Sequence, residues 1–175
     1  MTGRSDMLNM NDAIGHWKAR GLDFADLLTM PDAGPGVAVN NCEEQDHGLE
    51  KALDNDLIVQ ARAAIDDGTP VRIQSDIRNV NRTVGAMLSG RIAEKYGHAG
   101  LPDETIHLSF KGTAGQSFGA WGARGVTLEL SGDANDYVGK GLSGARIIIY
   151  PSADSPLAPE DNIIVGNTVL YGAIS

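Results

Sequence analysis

Three apolar-glycine pairs, Phe118-Gly119, Val138-Gly139 and Val165-Gly166, each precede a β-like run, at spacings of about 20 and 27 residues. Repetition at that period constrains the fold more than any other feature of the chain, because a unit so short cannot bury its apolar face alone and has to stack on its neighbours. The runs are IHLSF, VTLEL, RIIIY and IIVGNTVLY, all after His98 and all separated by glycine-rich connectors with no helical period. With 22 glycines and only 5% aromatic residues, the core rests on small and β-branched side chains approached closely by backbone. The pattern predicts a mainly-β fold, a right-handed single-stranded β-helix, with a glycine-turned β-sandwich as the alternative. The structural glycines on this reading are Gly119, Gly122, Gly125, Gly139, Gly141, Gly144 and Gly166.

The first half reads differently. Asn9 or Asn11 is placed to cap a short helix through Asp12, Ile14 and Trp17, and Leu22, Phe24, Leu27 and Leu28 give a second apolar turn. The run PDAGPGVAV at 31–39 carries two prolines and two glycines and reads as a linker. Leu57, Ile58, Ala61, Ala64 and Ile65 recur at helical spacing until Gly68, and Val71, Ile73 and Ser75 alternate with polar residues as a half-buried strand. A further helix is predicted over 83–96, burying Val84, Met87, Leu88 and Ile92. The domain reading is a leading segment and linker over 1–48, then a β-helix domain over 49–175 introduced by an α+β segment with two or three short helices, truncated at its C-terminus.

Charge and cysteine content narrow the partners. A formal net charge of -9 and a pI near 4.7 leave no basic stripe to neutralise phosphates, so nucleic acid is not an expected partner. Cys42 stands alone and fits a reducing compartment. The N-terminal MTGRSDMLNMND has no apolar signal core, and no window approaches the ~18 apolar residues of a membrane span. A cytoplasmic protein with no membrane partner is expected.

Candidate sites are sparse. Gly139-Lys140-Gly141-Leu142-Ser143-Gly144 fits GxGxxG, yet RIIIY follows it as a strand, so no helix N-terminus would face a pyrophosphate. Gly112, Gly115, Gly119, Gly122 and Gly125 lack the GK[ST] ending of a phosphate loop. Asp133, Asn135 and Asp136 read as Asx turns before a calcium loop. His16, His47, His98 and His107 are scattered, with no carboxylate at ligand spacing. Asp76, Arg78, Asn79, Asn81 and Arg82 form the densest polar cluster and read as a structural network, and Trp121 is the stronger interface anchor of the two tryptophans. No catalytic, cofactor-binding or metal-binding residue is assigned.

The stretch GTAGQSFGAWGARGVTLELSGDANDYVGKGLSGARIIIYP, with IRNVNRTVGAMLSGRIAEKYG upstream, resembles the C-terminal GXGXG domain of the glutamate synthase large (alpha) subunit over roughly residues 50–173. The leading GRSDMLNMND is similar to the segment joining the flavin domain of that enzyme to this one. The resemblance implies a right-handed β-helix within an oxidoreductase that makes glutamate from 2-oxoglutarate and glutamine-derived ammonia. It implies FMN and an iron-sulfur cluster in the parent enzyme and none in this segment. The implied partners are the other domains of the large subunit and the small subunit. The role that follows is structural, an interdomain docking element. The rival reading is a stand-alone β-helix acting on a polysaccharide, with Glu129 and Asp133 as its nearest acid pair.

Overall fold

In the computed structural model, residues 15–19, 21, 23–24, 26, 29, 32–38, 41–156 and 158–174 are described. The chain divides into two compact units, Met1–His47 and Gly48–Ser175. In the first, residues 15–19 turn, with the Ala19 N–H donating to His16 O at 2.9 Å and the His16 ring 6.1 Å from Trp17. The expected cap and first turn at 9–14, and Leu22, Leu27 and Leu28, lie outside the described residues.

The second unit begins with a 3-10 turn (Leu49–Lys51) followed by two short helices, α1 (Leu53–Gln60) and α2 (Arg62–Asp67), which one helical pattern in the sequence joins. They part at Ala61, whose ψ of 6° departs from helical geometry, and α2 ends at Gly68 in the left-handed conformation. Strand β1 (Val71–Ile77) follows, then α3 (Ala86–Tyr96) and strands β2 (Ile106–Ala114), β3 (Val126–Ala134) and β4 (Arg146–Tyr150). The four strands form one parallel sheet in the order β1-β2-β3-β4. Its register stacks Ile73, Leu108, Leu128 and Ile147 in one column and Ser75, Phe110, Leu130 and Ile149 in another. These columns face the same apolar cluster as Leu57, Ala61 and Ala64 of the first two helices and Leu88 and Ile92 of α3. Phe118 closes it edge-to-face against Phe110, with ring centroids 5.6 Å apart.

The mainly-β right-handed β-helix expected from the glycine spacing is therefore corrected: the unit is a small α/β domain, a four-stranded parallel sheet with helices packed into the same core. The 20-residue period is real, and it sets the offset between β2 and β3, where Ile106 pairs with Val126. The segments between strands do not build further sheets. They run as turns through left-handed residues such as Ser117, Gly119 and Trp121, a conformation that interrupts a ladder. For the same reason IIVGNTVLY is not a strand. Val165 makes one bridge to Ala134, and Thr168 and Leu170 then turn left-handed.

These turns stack in register. Thr83, Ser117, Tyr137 and Thr168 all have φ between 57° and 64°. The N–H groups of Thr83, Ser117 and Tyr137 donate to the carbonyls of Gln116, Asp136 and Asn167. In the same way, Gly119, Gly139 and Leu170 donate to Val84, Phe118 and Val138 at 2.8–2.9 Å. Leu170, rather than Gly166, thus occupies the position of Gly139, and Val84-Gly85 is an earlier copy of the apolar-glycine pair that leads into a helix instead of a strand.

Candidate functional site

The sheet has one apolar face and one polar face. On the polar face, strand alternation brings up Arg72, Gln74 and Asp76 from β1, His107, Ser109 and Lys111 from β2, Thr127, Glu129 and Ser131 from β3, and Arg146, Ile148 and Tyr150 from β4. Glu129 is diagonal to both His107 and Tyr150 in this register and reaches both. Its Oε2 is 2.7 Å from His107 Nε2, and its Oε1 accepts from the Tyr150 hydroxyl at 2.7 Å. A carboxylate only accepts, so the proton between Glu129 and His107 belongs to Nε2. The network ties three strands together across an otherwise exposed face.

The Tyr150 hydroxyl, and after it the His107 contact, hold the Glu129 carboxyl below its usual 4.5, with the Arg72 charge adding to the effect. A carboxyl lowered on folding stabilises the native state above its unfolded value, and that contribution is lost as pH falls from about 4.5 through the lowered value. Tyr150→Phe should therefore lower the urea midpoint at pH 7, and the gap to wild type should close as pH falls below 4.5. A gap that is the same at pH 7 and pH 3 would show that Tyr150 acts through packing alone.

Beside this network, Arg124 Nε meets Asp103 Oδ1 at 3.1 Å and Arg146 Nη1 meets Glu104 Oε1 at 2.7 Å, walling a cleft of about 500 Å³. Both arginines are neutralised by the chain's own acids, so the cleft presents no preformed anion site. Exposed pairs of this kind contribute about 0–1 kcal/mol each.

The most demanding polar group is Asp54 of α1, 3% exposed. Its Oδ1 accepts the Gly85 N–H at 2.8 Å, and its Oδ2 accepts those of Met87 at 2.8 Å and Leu88 at 3.1 Å. Helix α3 starts on Gly85, which has no side chain to cap it, so the capping carboxylate comes from α1. Burial pushes the Asp54 carboxyl above the ordinary carboxylate range, and the three N–H donors pull it back.

Of the residues singled out from sequence, Arg78 and Asn81 meet. The Arg78 N–H donates to Asn81 Oδ1 and the Asn81 N–H to Arg78 O, each at 2.8 Å. Asn79 Oδ1 accepts from Asn135 Nδ2 at 3.1 Å, whereas Asp76 stands on β1 next to Lys111 in register and Arg82 is exposed. Gly119, Gly122, Gly125, Gly139, Gly141 and Gly144 lie in the turns between strands, and Gly166 lies against Asn135 and Asp136. Trp121 stands in the turn after β2, 55% exposed. Asp133 accepts from the hydroxyl of Thr113, its register partner on β2, and Asp136 Oδ1 accepts from the Asn167 N–H, so the first oxygen bridges two strands and the second serves a turn. Glu129 and Asp133 are four residues apart on β3, about 13 Å along a strand, wider than the ~5–9.5 Å between glycosidase carboxyls.

Sequence reasoning did not find the His107–Glu129–Tyr150 network or Asp54. The first becomes visible only when IHLSF, VTLEL and RIIIY are aligned at the sheet register. The second joins residues 31 to 34 positions apart with no local pattern.

The GXGXG motif family matches residues 54–175. The chain belongs to the GXGXG family. It is 50% identical over 176 residues to the NADH-type glutamate synthase of Schizosaccharomyces pombe, covering 100% of this chain and 8% of that protein. It is 45% identical over 177 residues to the NADPH-type glutamate synthase large chain of Bacillus subtilis, covering 100% of this chain and 11% of that protein. To ferredoxin-dependent glutamate synthase 2 of Synechocystis it is 43% identical over 173 residues, 98% of this chain and 11% of that protein. The chain is thus a glutamate synthase segment, and it spans 8–11% of the length of these relatives.

Among the described residues of this GXGXG segment, no three His, Cys, Asp or Glu side chains gather as metal ligands, and no helix is long and apolar enough to cross a membrane. Cys42 is exposed and free.

Proposed function

We propose that this segment is a structural and interdomain-docking domain of a glutamate synthase, the enzyme that makes L-glutamate from 2-oxoglutarate and glutamine-derived ammonia in nitrogen assimilation. FMN and the iron-sulfur cluster reside elsewhere in that cytoplasmic enzyme, and the segment performs no catalysis itself. Residues 1–48 are the leading connection, and 49–175 the docking domain. Its partners are the remaining domains of the same polypeptide and, where one exists, the small subunit.

One observation carries the reading. Glutamate synthases with different electron donors all match 98–100% of this chain, while the chain covers only 8–11% of each. A segment common to enzymes using different reductants is suited to a task that does not depend on the reductant. A sheet locked by three cross-strand hydrogen-bond partners, with its turns in register, is a stiff support for holding reactive centres at fixed distances.

The test is Glu129→Gln and His107→Ala, made separately in the full-length enzyme. General acid–base groups contribute about 10²–10⁴-fold to rate. A docking domain predicts that each variant changes the rate of glutamate formation by less than about threefold, a small fraction of that effect. A hundredfold loss with the fold intact by circular dichroism would place catalysis in this face and overturn the proposal.

A further inference from the structure

Two aromatic side chains in this chain stand on backbone that glycine would occupy more comfortably. Trp121 has φ 52° and Tyr137 φ 64°. The position of Trp121 recurs in the following turns as Gly141, φ 62°, and Gly172, φ 70°, so the fold accepts glycine there. The Trp121 N–H donates to Lys140 O at 2.8 Å, and the Lys140 N–H to Tyr137 O at 3.1 Å, fixing the three side chains on one turn stack. Strained backbone persists where the surrounding structure imposes it, and such sites cluster at functional positions.

The Trp121 indole lies over the backbone of Gly141 in the next turn, where a Cβ would meet it at 2.7 Å, yet the aromatic side chains stay largely open to solvent. Trp121 is 55% exposed and Tyr137 38%. Lys140 Nζ lies 5.8 Å from the Trp121 ring centroid and 5.5 Å from that of Tyr137. Among the described residues, the ion pairs of the unit match Lys51, Arg62, Arg91, Lys111, Arg124 and Arg146 to carboxylates, whereas Lys140, like Arg72, Arg78, Arg82 and Lys95, is in none of them, and of these five it alone lies over two aromatic rings. Trp121 also borders a cleft of about 240 Å³ with His98 and Arg124, and because Arg124 is paired with Asp103 the open charge beside the ring is that of Lys140, in a chain of net charge -9.

We infer that Trp121, Tyr137 and Lys140 form the docking site for an acidic segment of the longer polypeptide lying outside these 175 residues, with a carboxylate on Lys140 and an apolar side chain on Trp121. The inference rests on the docking role proposed above and names its contact. A large ring buried in the middle of an interface carries much of a contact's energy, and a carboxylate completes the charge left open at Lys140. The partner lies outside the chain because the relatives are about tenfold longer than the region matched.

Carbodiimide, which couples ammonium groups to carboxylates in direct contact, tests this in full-length glutamate synthase read by peptide mass spectrometry. The expected product links Lys140 to an Asp or Glu outside residues 1–175, and Trp121→Gly, with circular dichroism unchanged, cuts its yield at least about fivefold. A Lys140 that stays unlinked, or links only within residues 1–175, overturns the site. Links from Lys95 or Lys111 to other domains in that case would leave the docking role standing elsewhere on the segment. No link from any of these lysines to another domain would remove the docking role as well.

Discussion

Gly132→Ala is expected to cost about 4 kcal/mol of stability, summing overpacking and backbone strain, and to lower the melting temperature of the 175-residue chain by about 8–16 °C. The reason is a column of backbone, not of side chains. Ile77, Gly112 and Gly132 are register partners across β1, β2 and β3. A Cβ on Gly132 would overlap the carbonyl oxygen of Gly112, and a Cβ on Gly112 would overlap that of Ile77. A flexible side chain could swing away from the new methyl, whereas a carbonyl held in a parallel ladder moves only if the strands separate. At φ 152° and 132° the two residues also lie where other amino acids are strained. Gly90→Ala is the matched control. It lies in α3 with no heavy atom within 4 Å of the added methyl, so it should be neutral or stabilising by about 0.5–1 kcal/mol. Thermal melts of the three proteins decide the matter, and a Gly132→Ala chain that melts within a few degrees of wild type would show that the strands yield at no cost.

In the sequence Gly112 figures only as part of a phosphate-loop pattern, and Gly132 does not stand out, because each lies two residues past a β-like run, in FKG and LSG, where a glycine reads as the start of a connector and not as part of the strand. The corner glycines were conspicuous because they punctuate. This difference explains what was legible. Strand β1, helix α3 and the three runs that became β2, β3 and β4 followed from hydrophobic period alone, since burial of one face fixes alternation locally. The architecture did not follow. A 20-residue spacing fixes that neighbouring strands are parallel and in register, but not whether the intervening residues make more sheet or only turns. Here that was decided by left-handed Ser117, Trp121 and Tyr137, residues with no sequence signature for φ > 0. The alignment of the last repeat failed for a related reason. Leu170 adopts φ 59° where its counterpart is Gly139, and the visible glycine, Gly166, lies four residues earlier. The family, by contrast, was legible because it depends on the identity of residues in a long stretch and not on how the chain between strands is shaped.

Asp54→Ala should destabilise the domain by about 3–5 kcal/mol, through a mechanism distinct from overpacking. The substitution removes two oxygens and leaves the N–H groups of Gly85, Met87 and Leu88 without their acceptor at a site that is 3% exposed. Helix α3 begins there, and its Leu88 and Ile92 fill the core against the sheet, so a loosened first turn is felt by the packing of β2 and β3. Asp54→Asn is an informative partial repair. It keeps one oxygen, yet the carboxylate serves Gly85 through Oδ1 and Met87 and Leu88 through Oδ2, so in either orientation the amide NH₂ faces at least one N–H donor. The asparagine variant should therefore fall between wild type and alanine, losing about 2 kcal/mol. Denaturant midpoints give the totals, and amide exchange at Met87 and Leu88 separates the cap from general packing loss. Exchange at these two amides should quicken in both variants beyond the change in global stability. If it follows the global value in step, the carboxylate is holding α1 and α3 together as bodies, and the start of the helix is stabilised by its burial instead.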